Sequence, residues 1–330
     1  MEKIEIIKSI TGRTGGDIYL GVVGAVRTGK STFIKKVIEN LVVPNIEDEY
    51  ARKRALDEIP QSANGKTIMT TEPKFVPSNA AEIQIDNFKA NIRLIDCVGY
   101  VIPGSSGYED ENGPRMVKCP WYDEEIPFVE AAEIGTEKVI RDHSSIGIIV
   151  TTDGSFGEIP RSNYIDTELR IVNELKEIGK PFIVILNSNH PTLPETERLA
   201  EKMQADYDVP VLPISVENMT ERDIYNILRE ALYEFPVMEV KVEMPDWIAT
   251  LASSNWLKKI YIEKIKERVM EIDKLKDIEL ITSHFSDCEY INKAYLSNVD
   301  TETGIVTIKL EAKSELYNQV LKDIIGVDIK

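Results

Sequence analysis

The sequence predicts an α/β fold with a mostly parallel sheet flanked by helices, followed by a small α+β module. Three observations predict it. From residue 18 to about residue 235, short β-branched runs alternate with segments of helical periodicity. The first run passes through a glycine-containing turn straight into an amphipathic segment. Beyond Pro236 the alternation stops, and a charged helical segment, a strand–turn–strand pattern and a last helix follow. These place domains at residues 1–236 and 237–330, and a chain of 330 residues exceeds what one hydrophobic core usually supports.

In order, Ile18-Tyr19-Leu20-Gly21-Val22-Val23 reads as a buried strand and residues 32–38 as an amphipathic helix. Between them stands Gly24-Ala25-Val26-Arg27-Thr28-Gly29-Lys30-Ser31, which matches G-x-x-x-x-G-K-[ST] in its proper strand–loop–helix context. Its glycines let backbone N–H groups wrap phosphate oxygens, and the helix N-terminus adds its positive dipole end. The pattern therefore predicts a P-loop NTPase that binds a nucleoside triphosphate. Lys30 would reach the β- and γ-phosphates, and the Ser31 hydroxyl would take one position on Mg²⁺.

A polar stretch at 44–77 precedes a candidate antiparallel hairpin, residues 82–85 and 91–95 around a turn at 86–89. Further strands are predicted at 145–151, 181–187 and 209–214, with helices at 166–178, 195–207 and 221–233. Residues 102–127 carry too many Gly and Pro breakers for regular structure. They read as a lid or switch-associated insertion rather than a passive loop. In the second module, apolar residues at Trp256, Ile260, Ile262, Ile265, Val269, Ile272 and Leu275 predict one helix over 256–275. Residues 294–299 and 304–310 flank the turn 300–303, and 314–325 closes the chain as a helix with Ser314 as N-cap.

A second site element is Leu94-Ile95-Asp96-Cys97-Val98-Gly99, an apolar strand ending in D-x-x-G. In this setting Asp96 holds Mg²⁺, usually through water, and the Gly99 amide meets the γ-phosphate. Between the two elements, Thr70 and Thr71 sit where a switch loop supplies a metal-binding, phosphate-sensing threonine, and the sequence does not say which one ligates. Arg27, inside the loop, either supplies positive charge in cis or is a solvated side chain. The glutamine that often follows D-x-x-G is replaced by Tyr100. GTPases of this layout carry N-K-x-D after the strand at 181–187, but here Asn187-Ser188-Asn189-His190 stands. A neutral imidazole cannot offer guanine a bidentate acceptor pair, so ATP is predicted over GTP. Ser215 ends the strand before the last base-contacting loop. The predicted contacting set is thus Gly24, Ala25, Val26, Arg27, Thr28, Gly29, Lys30, Ser31, Thr32, Gly99, Asn187 and Ser215. Lys30, Thr70, Thr71, Asp96 and Arg27 are the catalytic candidates, and Ser31, Thr70 and Asp96 the Mg²⁺ ligands.

A net charge of −17 argues against nucleic-acid binding, which depends on basic surface, but not against one nucleotide held by local amides and Lys30. No apolar run reaches membrane-spanning length, and the N-terminus opens without a signal-peptide pattern, which predicts a cytoplasmic protein. Cys97, Cys119 and Cys288 with His143, His190 and His284 show no zinc spacing.

Residues 16–33, 65–77 and the run Gly107-Tyr108-Glu109-Asp110-Glu111-Asn112-Gly113-Pro114-Arg115-Met116 closely resemble the stage IV sporulation protein A family. The resemblance covers essentially the whole chain. That family lies in the translation-factor-related class of P-loop GTPases but uses ATP, in agreement with the degenerate base motif. The resemblance implies that Lys30 is the Walker A lysine, Asp96 the Walker B acid, and Thr70 with Thr71 the sensor threonines. It also implies an ATPase of endospore-forming bacteria whose hydrolysis drives self-assembly into a static polymer. That polymer is the basement layer of the spore coat, on the mother-cell side of the forespore. The implied partners are a small amphipathic membrane-anchoring peptide and coat proteins. Family members are longer, so the resemblance implies that the C-terminal assembly region lies outside this chain and that polymerisation is defective without it. Two other readings stay open: a nucleotide-stabilised scaffold with incidental hydrolysis, and a regulatory GTPase.

Overall fold

The computed structural model describes all residues except 61–72, 111–112, 120–121, 279–284 and 327–330. The chain divides into two units, Met1–Glu234 and Phe235–Lys330. In the first, strands β1 (Asp17–Val23), β2 (Lys74–Ile85) and β3 (Phe88–Asp96) come early. Strands β8 (Ile146–Thr152), β9 (Phe182–Asn187) and β10 (Val211–Ile214) come late. Between them, β4 (Glu109–Asp110) pairs with β5 (Gly113–Pro114), and β6 (Met116–Val117) with β7 (Ile126–Pro127). The main sheet has the order β10-β9-β8-β1-β3-β2. All its neighbours are parallel except β2, which pairs antiparallel with β3 at the edge.

Central parallel strands are covered on both faces, so they read as unbroken apolar runs rather than alternating ones. Every residue of β8 and β9 is buried. On β1, Val23 joins the cluster of Ile95, Ile149, Ile171, Val172, Leu175, Val184 and Met203 on one face. Ile18, Leu20 and Val22, at alternate positions, are buried outside that cluster. Helices α5 (Ile165–Ile178) and α6 (Pro194–Tyr207) supply the first face. Helices α1 (Lys3–Arg13) and α7 (Glu221–Tyr233) pack together, α1 also against β1 and β3, and α7 against β9. A capping box starts α7: the Thr220 amide donates to Asp223 at 2.8 Å, and the Asp223 amide to the Thr220 hydroxyl at 3.4 Å.

Predicted helices of this unit and strands β1, β8, β9 and β10 appear within one or two residues of their expected bounds. The hairpin expected at 82–85 and 91–95 is longer: β2 starts at Lys74, inside the polar stretch, and β3 at Phe88. Among the described residues, three α-helices were not foreseen: α1, α3 (Glu49–Asp57) and α4 (Phe128–Lys138). α3 lies inside the polar stretch and buries only Ala55, so periodicity carried no signal for it. α4 buries Phe128, Ala131, Ala132, Gly135 and Thr136, a stripe at helical spacing whose members are mostly too small to stand out by hydrophobicity.

The second unit holds a three-stranded sheet of order β11-β13-β12. It comprises β11 (Glu239–Glu243), β12 (Ile291–Asp300) and β13 (Ile305–Ala312). The hairpin β12–β13 matches expectation, while β11, alternating charged and half-buried residues, was not foreseen. Among the described residues it also contains helices α8 (Asp246–Ala249), α9 (Trp256–Val269) and α10 (Glu315–Ile325). The predicted helix over 256–275 is corrected: α9 stops at Val269, and its buried residues are Leu257 and Tyr261. Leu275 is buried in a separate short turn, its amide donating to the Phe235 carbonyl at 3.0 Å. Ser314 precedes α10 but makes no side-chain capping bond.

Candidate functional site

The residues 24–31 form the crossing from the buried end of β1 to the start of α2 (Lys30–Val37). Gly29 caps α2 with φ +98, and a Cβ there would meet the Asn187 amide nitrogen at 2.5 Å, so only glycine fits without displacement. The Lys30 ammonium is buried and donates to the carbonyls of Ala25 at 2.7 Å and Gly24 at 3.4 Å. Burial pushes its pKa down to about 8, Arg27 acts in the same direction, and Asp96 and Cys97 oppose the shift. The loop thus holds a cation turned back on its own carbonyls at the N-terminal end of a helix.

The parallel pairing of β1 with β3 brings Asp96, opposite Val22, to the same sheet edge as the loop. The Ser31 hydroxyl donates to Asp96 Oδ2 at 2.8 Å. The other carboxylate oxygen, Oδ1, is buried and has no hydrogen-bond partner. Burial raises the pKa of this carboxyl above its usual range, while Lys30 and the Ser31 hydroxyl pull it the other way. A buried, half-satisfied carboxylate costs free energy unless a further partner completes it. Among the described residues no group of three or more His, Cys, Asp and Glu could enclose a metal ion. A hydroxyl plus one carboxylate fits instead a hard cation that keeps water and takes ligand phosphate oxygens.

Gly99, at φ +95, lies against Lys30, and a Cβ there would overlap its ammonium group and meet the Gly24 carbonyl at 2.8 Å. The next residue stitches the two elements together. The Tyr100 amide donates to the Gly24 carbonyl at 3.1 Å, and the Val26 amide donates to the Tyr100 carbonyl at 2.9 Å. A second brace comes from β9. Asn187 is buried, its amide nitrogen donating to the Thr28 carbonyl at 3.0 Å and its oxygen accepting from the Val216 amide at 3.1 Å. Sequence reasoning placed Asn187 at the nucleotide without foreseeing that both ends of its amide join loop to loop.

Arg27 adopts φ 67, an unusual backbone for a residue with a side chain, within the phosphate-loop sequence. Thr32 lies on the first turn of α2. Ser215 follows β10, and its hydroxyl accepts from the Asn218 side-chain Nδ2 at 3.0 Å. His190 is exposed, its backbone amide donating to the Ser188 hydroxyl at 2.9 Å. Thr70 and Thr71 lie outside the described residues. The 102–127 segment reaches the loop: Ile102, Val117 and Cys119, with Phe128 and Ala131 of α4, cluster with Ala25 and Val26.

Two family models match the chain end to end. Stage IV sporulation protein A, ATPase domain, matches residues 1–236, and stage IV sporulation protein A, middle domain, matches 237–330. Proteins named stage IV sporulation protein A are similar along the chain. The one from Bacillus anthracis is 57% identical over 331 residues, covering 100% of this chain and 67% of the relative. The one from Bacillus subtilis (strain 168) is 56% identical over 331 residues, with the same coverage. The one from Clostridioides difficile (strain 630) is 45% identical over 326 residues, covering 98% of this chain and 66% of the relative. The chain therefore spans about two thirds of the length of these relatives. With a loop, an acid and a family model agreeing over residues 1–236, the chain belongs to the stage IV sporulation protein A family.

Proposed function

We propose that this chain is a P-loop ATPase that binds Mg²⁺·ATP at residues 24–31 and hydrolyses its terminal phosphate bond. The observation that carries the reading is the Ser31–Asp96 pair at 2.8 Å, with the second Asp96 oxygen buried and unsatisfied beside the buried Lys30. Ser31 and Asp96 would hold Mg²⁺, which when bound neutralises charge developing on the transferred phosphoryl group. In this reading Lys30 exchanges its two carbonyl partners for phosphate oxygens, a change its buried and depressed ammonium favours. The backbone amides of 24–31, the Thr32 turn and Gly99 line the phosphates, while Asn187 and Ser215 shape the loops about the base. Thr70 and Thr71 are the sensor threonines that position water and metal. Arg27 supplies charge in cis.

The family's name ties its members to sporulation, and its ATPase-domain model matches the first 236 residues. We infer that turnover serves self-assembly of the spore-coat basement layer at the forespore surface in the mother-cell cytoplasm. Its partners would be further copies, a membrane-anchoring peptide and coat proteins. No helix among the described residues is long and apolar enough to cross a membrane.

Phosphate release from Mg²⁺·ATP tests the enzymatic part. Lys30→Ala and Asp96→Asn are each expected to lower turnover by at least about 100-fold, as expected for groups that act on developing charge. Equal turnover by wild type and Lys30→Ala would contradict it and favour a scaffold in which nucleotide is structural.

A further inference from the structure

The residue after Gly99 carries more machinery than a core tyrosine needs. Tyr100 is 2% exposed and sits among Val23, Ile95, Ile149 and Ile171. Its backbone is bonded in both directions to the phosphate loop, through Gly24 and Val26. Its hydroxyl donates to Glu174 Oε2 on α5. The other oxygen of Glu174 accepts from Arg170 Nε at 2.8 Å. Arg170 lies over the Tyr100 ring, 5.3 Å from its centroid, and forks onto both oxygens of Glu133 on α4 at 2.7 and 2.8 Å. One buried hydroxyl partner would have satisfied the tyrosine. Here that partner belongs to a charged chain joining two helices.

We propose that Tyr100 is a positioning residue for ATP hydrolysis. Anchored by Glu174, it fixes the 96–99 arm against the phosphate loop and ties that arm to α4 and α5. This rests on the nucleotide site proposed above. Gly99 stands so close to Lys30 that a single methyl group would collide with the ammonium, so the arm has little freedom to be misplaced. The unsatisfied Asp96 oxygen belongs to the same arm. Triphosphate binding depends chiefly on loop amides and Lys30, which Tyr100 does not hold by its side chain. Hydrolysis depends on where the arm places Asp96 and Gly99. Loss of the hydroxyl should therefore act on turnover and spare binding. A fixed Tyr also fills the place where a mobile glutamine would orient water, so the arm is held by the protein's own helices.

The experiment measures phosphate release from Mg²⁺·ATP and calorimetric binding of a non-hydrolysable ATP analogue, in wild type, Tyr100→Phe, Glu174→Leu and the double variant. Tyr100→Phe keeps the ring and its packing. It is expected to lower kcat roughly tenfold or more while the analogue Kd changes by less than about threefold. Glu174→Leu, on the partly exposed face of α5, should reproduce that split without touching the core. The double variant should be no slower than the slower single one, because both remove one interaction. Wild-type kcat in Tyr100→Phe would overturn the proposal, as would equal losses in kcat and analogue affinity. If Tyr100→Phe does not fold, Glu174→Leu decides by the same two readings. A wild type that releases no phosphate, or a Lys30→Ala variant as active as wild type, defeats the site assignment itself. An active wild type, an inactive Lys30→Ala and an unaltered Tyr100→Phe defeat only the role of Tyr100.

Discussion

Lys30 keeps its ammonium group where the fold alone does not favour a charge. Its folded-state pKa of about 8 lies below the ordinary lysine value of 10.5, chiefly through burial. Below pH 8 the group is protonated in both folded and unfolded chains, and the burial penalty is present in full. Between about pH 8 and 10.5 the folded protein binds fewer protons than the unfolded one, so stability rises with pH and the penalty fades. Without nucleotide, Lys30→Met is expected to be more stable than wild type by up to about 3 kcal/mol at pH 7, with the gap closing by pH 10.5. Denaturant unfolding of both proteins across that range checks it. A methionine variant less stable at pH 7, or a gap independent of pH, would contradict the electrostatic account.

The residues of the loop and of D-x-x-G were legible in the sequence because their chemistry is tied to fixed spacing. Tyr100 was legible only as a missing glutamine. Its partners Glu174 and Arg170 lie on a helix far along the chain, and no local pattern reports a hydrogen bond across that separation.

At the scale of elements, the crossings from strand to loop are held by braces from neighbouring segments in addition to the loop's own bonds from Lys30 and Thr28. Asn187 at the end of β9 is one, linking the Thr28 carbonyl to the Val216 amide. Asn187→Ala would leave both groups without this partner in a buried setting, for a loss of about 1–3 kcal/mol in unfolding free energy. It should also weaken ATP binding several-fold, because the loop amides lose their fixed orientation. Denaturant midpoints and nucleotide titration read the two effects, and an alanine variant with wild-type values in both would show the brace to be dispensable. The long periodic elements were legible: the buried runs β8 and β9 and the amphipathic α7 show their period openly. α3 and α4 were not, since one buries a single alanine and the other a stripe of mostly small residues. The helix expected through Leu275 failed for a related reason. Apolar residues kept the period beyond Val269, yet the chain turns there and buries Leu275 by itself.

At the scale of the molecule, six strands in the order β10-β9-β8-β1-β3-β2 put the carboxyl ends of β1, β3 and β9 at the same end of the sheet, with β8 between β9 and β1. That order brings Lys30, Asp96 and Asn187 together from three distant parts of the chain. Ligands of open α/β sheets bind beyond the carboxyl ends of the strands, and the braced loops gather at that edge. The alternation of strands and helices made the fold class legible. The insertion at 102–127 was expected to lack regular structure, yet it forms the two-residue ladders β4–β5 and β6–β7. Its packing on Ala25 and Val26 was not legible, because its apolar residues are scattered among breakers. In the proposed reading, the loop after β9 carries the most specific functional claim, since Ser188 and His190 stand where a guanine site would need Lys and Asp.

Phosphate release measured side by side with Mg²⁺·ATP and Mg²⁺·GTP, in wild type and Lys30→Ala, tests the central claim most directly. The account predicts a kcat/KM at least about tenfold higher for ATP, abolished by Lys30→Ala. A preference for GTP, or turnover that survives the loss of Lys30, would contradict it.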